Sequence, residues 1–190
     1  MVTMYNTMMP LIFGGVLNMV FTKTPLYKKA KTPIDAGKTF RGKRIFGDNK
    51  TVIGFISMIV FCCISQMAWG LLNHYAGWDQ YNESFNRYGN TVLYNVILGL
   101  IYGFVYMISE LPNSFVKRQL DIEAGKTDKG FKGFVFFLVD QIDSLVGVMA
   151  VLWIVAGFPF WKYLAYVALG GATHILINVT LYKLHIRKNL

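Results

Sequence analysis

Five apolar runs, each about 20 residues long, dominate this chain of 190 residues. They extend roughly from Met4 to Phe21, Thr51 to His74, Thr91 to Ser109, Phe134 to Ala156 and Tyr163 to Tyr182. About 20 apolar residues is what a helix needs to cross hydrocarbon. The runs therefore predict an all-α integral membrane protein with about five transmembrane helices. A hydrophobic content of 54% exceeds that of an ordinary soluble domain. The connections are too short for a separate soluble domain, so residues 1–190 are expected to form one membrane-embedded domain. The first run lacks the basic n-region of a signal peptide and is read as a membrane helix.

The net charge of +9 invites a nucleic-acid reading, but its distribution argues against one. Alternating helices place the segments 22–50, 109–133 and the C-terminal tail on one side, with seventeen of the nineteen Lys and Arg residues; only Arg87 and Lys162 fall on the other. The positive-inside rule then predicts an outside N-terminus and a cytoplasmic C-terminus, in a multi-pass protein of the cell membrane. Trp78 and Tyr81 of the outer loop suit interface anchoring. Cys62 and Cys63 are adjacent in one helix and read as small buried hydrophobes. Gly99 and Gly103, like Gly170, Gly171 and Ala172, are small residues that let helices approach closely.

Asp140 and Asp143 are the only charged residues from Gly133 to Trp161. Carboxylates inside a membrane span are costly unless paired, cation-bound or facing a wet cavity. Their i, i+3 spacing puts both on one helix face. Two hard oxygen donors there suit Mg²⁺, which binds one or two carboxylates plus substrate phosphates. A structural pair bonded to Gln141, Ser144 or a basic residue is the plainer alternative. Counting about 20 residues back from Gly157 reaches Leu138, so Asp140 lies about one turn from the cytoplasmic boundary and Asp143 about one turn deeper.

The stretch Lys31–Thr51 reads KTPIDAGKTFRGKRIFGDNKT. Gly37, Gly42 and Gly47 recur every five residues among Lys38, Arg41, Lys43, Arg44 and Lys50. Such a loop can line an anion with backbone N–H groups and add positive charge. Lys50 and Thr51 open the second long helix, where free N–H groups favour phosphate. The order is not that of a P-loop. A basic loop resting on anionic lipid heads is the competing reading, although Asp35 and Asp48 suit a site that positions Lys and Arg side chains. Further on, Glu110-Leu-Pro-Asn113 leads into Ser-Phe-Val-Lys117-Arg118. Pro112 is expected to end or kink the third long helix. Phe115, Val116 and Leu120, with Lys117 and Arg118, suit a short amphipathic helix on the membrane surface. Glu110 and Asn113 flank the break and can turn into the bundle. His174 is read as a packed residue, and His74 and His185 as interface residues.

These stretches share one side of the bundle, and together they point to chemistry between a nucleotide and a lipid phosphate. They also resemble the CDP-archaeol synthase family, membrane cytidylyltransferases related to the CDP-diacylglycerol synthases. The match lies in Pro33-Ile-Asp35 with Gly37-Lys38, in Gly42-Lys43-Arg44-Ile-Phe-Gly47-Asp48-Asn-Lys50-Thr51, in Glu110-Leu-Pro-Asn113-Ser-Phe-Val-Lys117-Arg118, and in Asp140-Gln-Ile-Asp143-Ser144. The five-helix layout is shared too. Where the family usually continues with Trp-Arg-Gly after the threonine, this chain has Val52-Ile53-Gly54.

The resemblance implies that CTP and a lipid phosphate give a CDP-lipid and pyrophosphate with Mg²⁺, the lipid being an unsaturated archaetidic acid-like or phosphatidic acid-like substrate. For that reaction we assign Asp140 and Asp143 to the metal and Lys43, Arg44 and Lys50 to the triphosphate or the leaving pyrophosphate. Lys117 and Arg118 would meet the lipid phosphate, and Glu110 and Asn113 would orient metal or nucleotide. Asp35, Gly37, Lys38, Gly42, Gly47, Asp48, Thr51 and Ser144 join the expected substrate-binding set, in a site facing the cytoplasm. A transporter or channel for an anionic solute is the alternative, but it predicts polar residues through several helices. The DGxxAR-type aspartate series of the CDP-alcohol phosphotransferases is absent.

Overall fold

The computed structural model describes residues 1–126 and 130–183; Lys129, His185, Arg187 and Lys188 lie outside them. The order is α1 (Val2–Phe21), α2 (Pro25–Ala30), β1 (Thr39–Phe40), β2 (Lys43–Arg44), α3 (Val52–Ala76), two 3₁₀ turns (Asp79–Tyr81 and Glu83–Phe85), α4 (Val92–Gln119), α5 (Gly130–Ala156) and α6 (Phe160–Lys183). Among the described residues, α1, α3, α4, α5 and α6 are long and apolar enough to cross a membrane.

Each expected span is present, but the helices outrun the apolar runs. Helix α4 has 28 residues, about 42 Å, against roughly 30 Å of hydrocarbon. An apolar run records membrane depth, whereas the hydrogen-bond ladder continues into the polar region once formed. Pro112 accordingly does not end α4; the helix runs through it to Gln119, and the expected separate surface helix is instead its last turns. Membrane helices tolerate such a proline because their surroundings satisfy the freed backbone groups.

Neighbouring helices pack in the sequence α1, α3, α4, α5 and α6, with the α3–α4 seam the most extensive. A Cβ on Gly103 would lie 2.4 Å from the Ile59 Cα, and one on Gly99 2.6 Å from the Cys63 Cα. These two glycines thus set how closely α3 and α4 approach. The core around this seam includes Met8, Met58, Tyr102, Val148, Met149, Leu152 and Tyr166, all at most 2% exposed. At the ends of the row, α1 and α6 flank an apolar cleft lined by Met8, Leu11, Ile12, Gly170, Thr173 and Ile177.

Segment 31–51 is not the open loop expected from its composition. Strands β1 and β2 form an antiparallel hairpin with Thr39 opposite Arg44 and Phe40 opposite Lys43. Arg41 and Gly42 turn it with φ of 51° and 78°. Positive φ at both central positions matches the twist of paired strands, and glycine adopts it without steric cost. A bridge from Pro33 to Thr51 closes the base of the segment. On the opposite side, Glu83 pairs with Lys162 and accepts from the Tyr166 hydroxyl at 2.7 Å. There Arg87 donates to the Ile154 carbonyl at 3.0 Å.

Candidate active site

Asp140 and Asp143 stand one turn apart on α5 and face α4. One nitrogen, Asn113 Nδ2, donates to Asp140 Oδ1 at 2.6 Å and to Asp143 Oδ2 at 2.7 Å. The carboxylates therefore converge on one point. Lys117, one turn beyond Asn113, pairs with Asp140. Glu110, one turn before it, pairs with Lys50 at the foot of α3. Spacings of three and four residues place Glu110, Asn113 and Lys117 on one face of α4. Asn113 Oδ1 is buried and has no hydrogen-bond partner among the described residues.

These groups line a cavity of about 350 Å³, together with Arg118, Asn18, Tyr27, Asn49, Tyr106 and His174. That volume lies in the range of small-molecule sites. Burial works against the charge on Lys50, but Glu110 and then the two aspartates outweigh it and hold its pKa above the ordinary lysine value. The cavity shares Gly15, Met19, Tyr106 and His174 with the apolar cleft between α1 and α6. A polar chamber and a greasy groove thus adjoin across these four residues.

The structure brings together seven of the residues picked from sequence: Lys50, Glu110, Asn113, Lys117, Arg118, Asp140 and Asp143. The others do not line this cavity. Asp35 is buried inside the hairpin segment and accepts from the backbone N–H groups of Gly37 at 3.1 Å, Phe46 at 2.9 Å and Gly47 at 3.0 Å. Arg44 donates to Asp35 at 2.7 Å and to Asp48 at 2.8 Å. Lys43 donates to the Gln119 carbonyl and to Asp121, both at 2.7 Å. Lys38, Gly37 and Gly42 are exposed away from the cavity. Thr51 caps α3, accepting from the Gly54 N–H at 3.1 Å, and bonds the Tyr27 hydroxyl at 2.8 Å. Ser144 is buried, and its N–H donates to Asp143 Oδ1 at 2.7 Å. Val52 and Ile53, the departure from the family pattern, also lie outside the cavity lining.

The loop is therefore organised around one carboxylate. Burial alone would raise the Asp35 pKa, but Arg44 and then the N–H groups of Gly47, Phe46 and Gly37 hold it well below the usual carboxylate range. A depressed folded pKa stabilises above the unfolded value and is lost only as pH falls through the folded one. The lock thus persists throughout the neutral range. Asp35→Ala leaves three backbone donors and Arg44 without this acceptor, a cost of about 2–3 kcal/mol. Trypsin cleavage after Lys38, Arg41, Lys43 and Arg44 is expected to accelerate roughly 30- to 150-fold, read by mass spectrometry of the protein in detergent.

Sequence reasoning missed Asn18, Tyr27, Asn49 and Tyr106 and set His174 aside as a packed residue. Asn18 accepts from the Ser57 hydroxyl at 2.6 Å, and the His174 Nδ1 lies 3.2 Å from the Gln141 carbonyl. The available signal was depth: Asn18 falls near the basic end of its apolar run, as Asp140 does.

Comparison with known proteins shows the family. The CarS-like CDP-archaeol synthase family profile matches residues 6–190. A CDP-archaeol synthase of Methanocaldococcus jannaschii is 32% identical over 157 residues, covering 82% of this chain and 81% of that protein. One from Archaeoglobus fulgidus is 29% identical over 165 residues, covering 83% of each. A solved structure described as an intramembrane enzyme for archaeal membrane lipids biosynthesis superposes with a TM-score of 0.59 at 22% identity, covering 94% of this chain and 91% of the other, and so shares the fold. The chain belongs to the CDP-archaeol synthase family, a family of CTP-dependent nucleotidyltransferases.

Proposed function

We propose that this protein transfers the cytidylyl group of CTP to an unsaturated archaetidic acid-like lipid phosphate, as one domain spanning residues 1–190. The observation that carries this reading is a cavity lined by three carboxylates and four cations that adjoins an apolar cleft. A soluble triphosphate and a lipid headgroup have to meet in such a place. The seventeen-to-two asymmetry of basic residues supports a cytoplasmic active site, an outside N-terminus and a cytoplasmic C-terminus.

The donor set fits Mg²⁺. Asp140 and Asp143 converge on one point, and the buried amide oxygen of Asn113 beside them lacks a partner. Hard oxygen donors with room for phosphate and water are what this ion takes. When bound there, Mg²⁺ supplies positive charge to phosphoryl oxygens. The protein's own part is placement. Lys50, held by Glu110, and Lys117, held by Asp140, present ammonium groups to the triphosphate. The lipid chains lie in the α1–α6 cleft, which directs the lipid phosphate toward the carboxylates. Its oxygen forms a bond to the α-phosphorus of CTP, the bond to the β-phosphate bridging oxygen breaks, and that electron pair leaves with pyrophosphate. The attacking phosphate is already anionic near neutral pH, so no general base is required.

The test is incubation of the purified protein with CTP and Mg²⁺ against a panel of lipid phosphates, with each other nucleoside triphosphate in parallel. Matched release of pyrophosphate and CDP-lipid is expected with CTP. Absence of both products for every lipid overturns the reading.

A further inference from the structure

Helix α1 carries two adjacent glycines that differ in what surrounds them. A Cβ on Gly14 would lie 2.8 Å from the Cys62 Sγ and 3.1 Å from the Cys62 Cα, so Gly14 serves the close approach of α1 and α3. A Cβ on Gly15 would meet nothing within 4 Å. Glycine inside a helix is destabilising relative to alanine, because the unfolded backbone is freer there. Packing does not explain Gly15 among the described residues, and the open space beside it has another use.

Its position shows what that use is. Gly15 lines both the carboxylate chamber and the apolar cleft between α1 and α6. Spacings of three and four residues put Leu11, Gly15 and Asn18 on one face of α1. Leu11 belongs to the cleft and Asn18 to the chamber. Along the helix axis they lie about 6 Å and about 4.5 Å from Gly15. Tyr106 of α4 and His174 of α6 stand at the same junction. The cleft is narrow, about 60 Å³ against about 350 Å³ for the chamber. A large side chain at position 15 would therefore fill the space where the two adjoin.

That junction receives the glycerol end of a lipid whose phosphate is at the carboxylates and whose chains are in the cleft. An isoprenoid chain carries methyl branches, the first within a few bonds of the glycerol. Each branch makes the chain wider than a straight alkyl tail. We infer, on the cytidylyl-transfer reading above, that Gly15 is a specificity-determining residue: it makes room for the first methyl branch and so favours branched over straight-chain lipid phosphates.

The experiment uses the detergent-solubilised full chain and two diether lipid phosphates with the same headgroup, one with methyl-branched chains and one with straight chains. Their dissociation constants are measured without nucleotide, and the KM for CTP with the branched lipid at saturation. Gly15→Leu is expected to weaken the branched lipid by about 10-fold, the scale of a misfit of one methylene in an apolar pocket, and the straight lipid by less than about 2-fold. The KM for CTP stays near wild type. Gly15→Ala, which adds a Cβ to open space, keeps or raises the melting temperature, whereas Gly14→Ala lowers it. If Gly15→Leu fails to elute as a folded species, Gly15→Ala takes its place, with a smaller loss confined to the branched lipid. Equal losses for both lipids overturn the inference, since position 15 then obstructs any chain. Unchanged binding of both also overturns it, while leaving cytidylyl transfer intact. A raised KM for CTP with unchanged lipid binding puts Gly15 beside the nucleotide and overturns it too. Wild-type protein that releases no pyrophosphate with either lipid removes the underlying reading and the inference with it.

Discussion

Asp140→Asn and Asp143→Asn each lower CTP-dependent labelling of lipid by about 10³-fold, the scale of losing a preorganised electrostatic contact to a phosphoryl-transfer centre. The substitution keeps side-chain shape and removes one negative charge. Both carboxylates receive the same Asn113 nitrogen, so they act on one point and neither replaces the other. Loss of the Asp140 charge also frees Lys117, and its ammonium then lacks a fixed position. Labelling with radioactive CTP, normalised to protein that elutes as a folded species in detergent, is the measurement. Asp79→Asn on the opposite side of the bundle controls for general charge loss. Near-normal turnover in both site variants would remove the carboxylates from the chemistry and leave them a structural pair.

The second large effect falls on Lys50. Lys50→Met is expected to reduce kcat/KM for CTP by about 10²-fold, since a charge-assisted contact in a partly buried site carries roughly 3 kcal/mol. Lys38→Met, on an exposed side chain outside the cavity, leaves it near wild type. Removing Lys50 strands Glu110, so the paired variant Lys50→Met with Glu110→Gln distinguishes a folding defect from lost nucleotide contact. Equal losses at Lys38 and Lys50 would mean that the whole basic segment acts as a diffuse field attracting anions. The sharp difference is expected because Lys50 touches the cavity while Lys38 does not.

This contrast between two lysines of one segment shows where sequence reading stops. Apolar length alone dictates the five spans, since lipid leaves the backbone no option but a helix in each. The i, i+3 spacing of Asp140 and Asp143 likewise survives folding, because helical geometry is local. Gly99 and Gly103 take the packing role their spacing predicts, at the α3–α4 seam. Composition could not sort the cations of segment 31–51. Asp35 draws Arg44 and three N–H groups inward, and Asp121, far along the chain, takes Lys43. Which lysine faces the phosphates depends on partners 60 or more residues away, such as Glu110 for Lys50.

The sequence by itself determined the membrane class, the five helices, the side on which charge gathers and the identity of the acidic pair. Each of these follows from hydropathy, helical period or charge count, which act over one turn or one span. Only the tertiary structure decided that Asn113 joins the two aspartates, that Asn18 and His174 reach the same cavity from α1 and α6, and that Arg118 is buried with Nε and Nη1 lacking a hydrogen-bond partner among the described residues. Those relations arise where helices distant in sequence pack side by side. The polar groups there meet neighbours that no local pattern encodes.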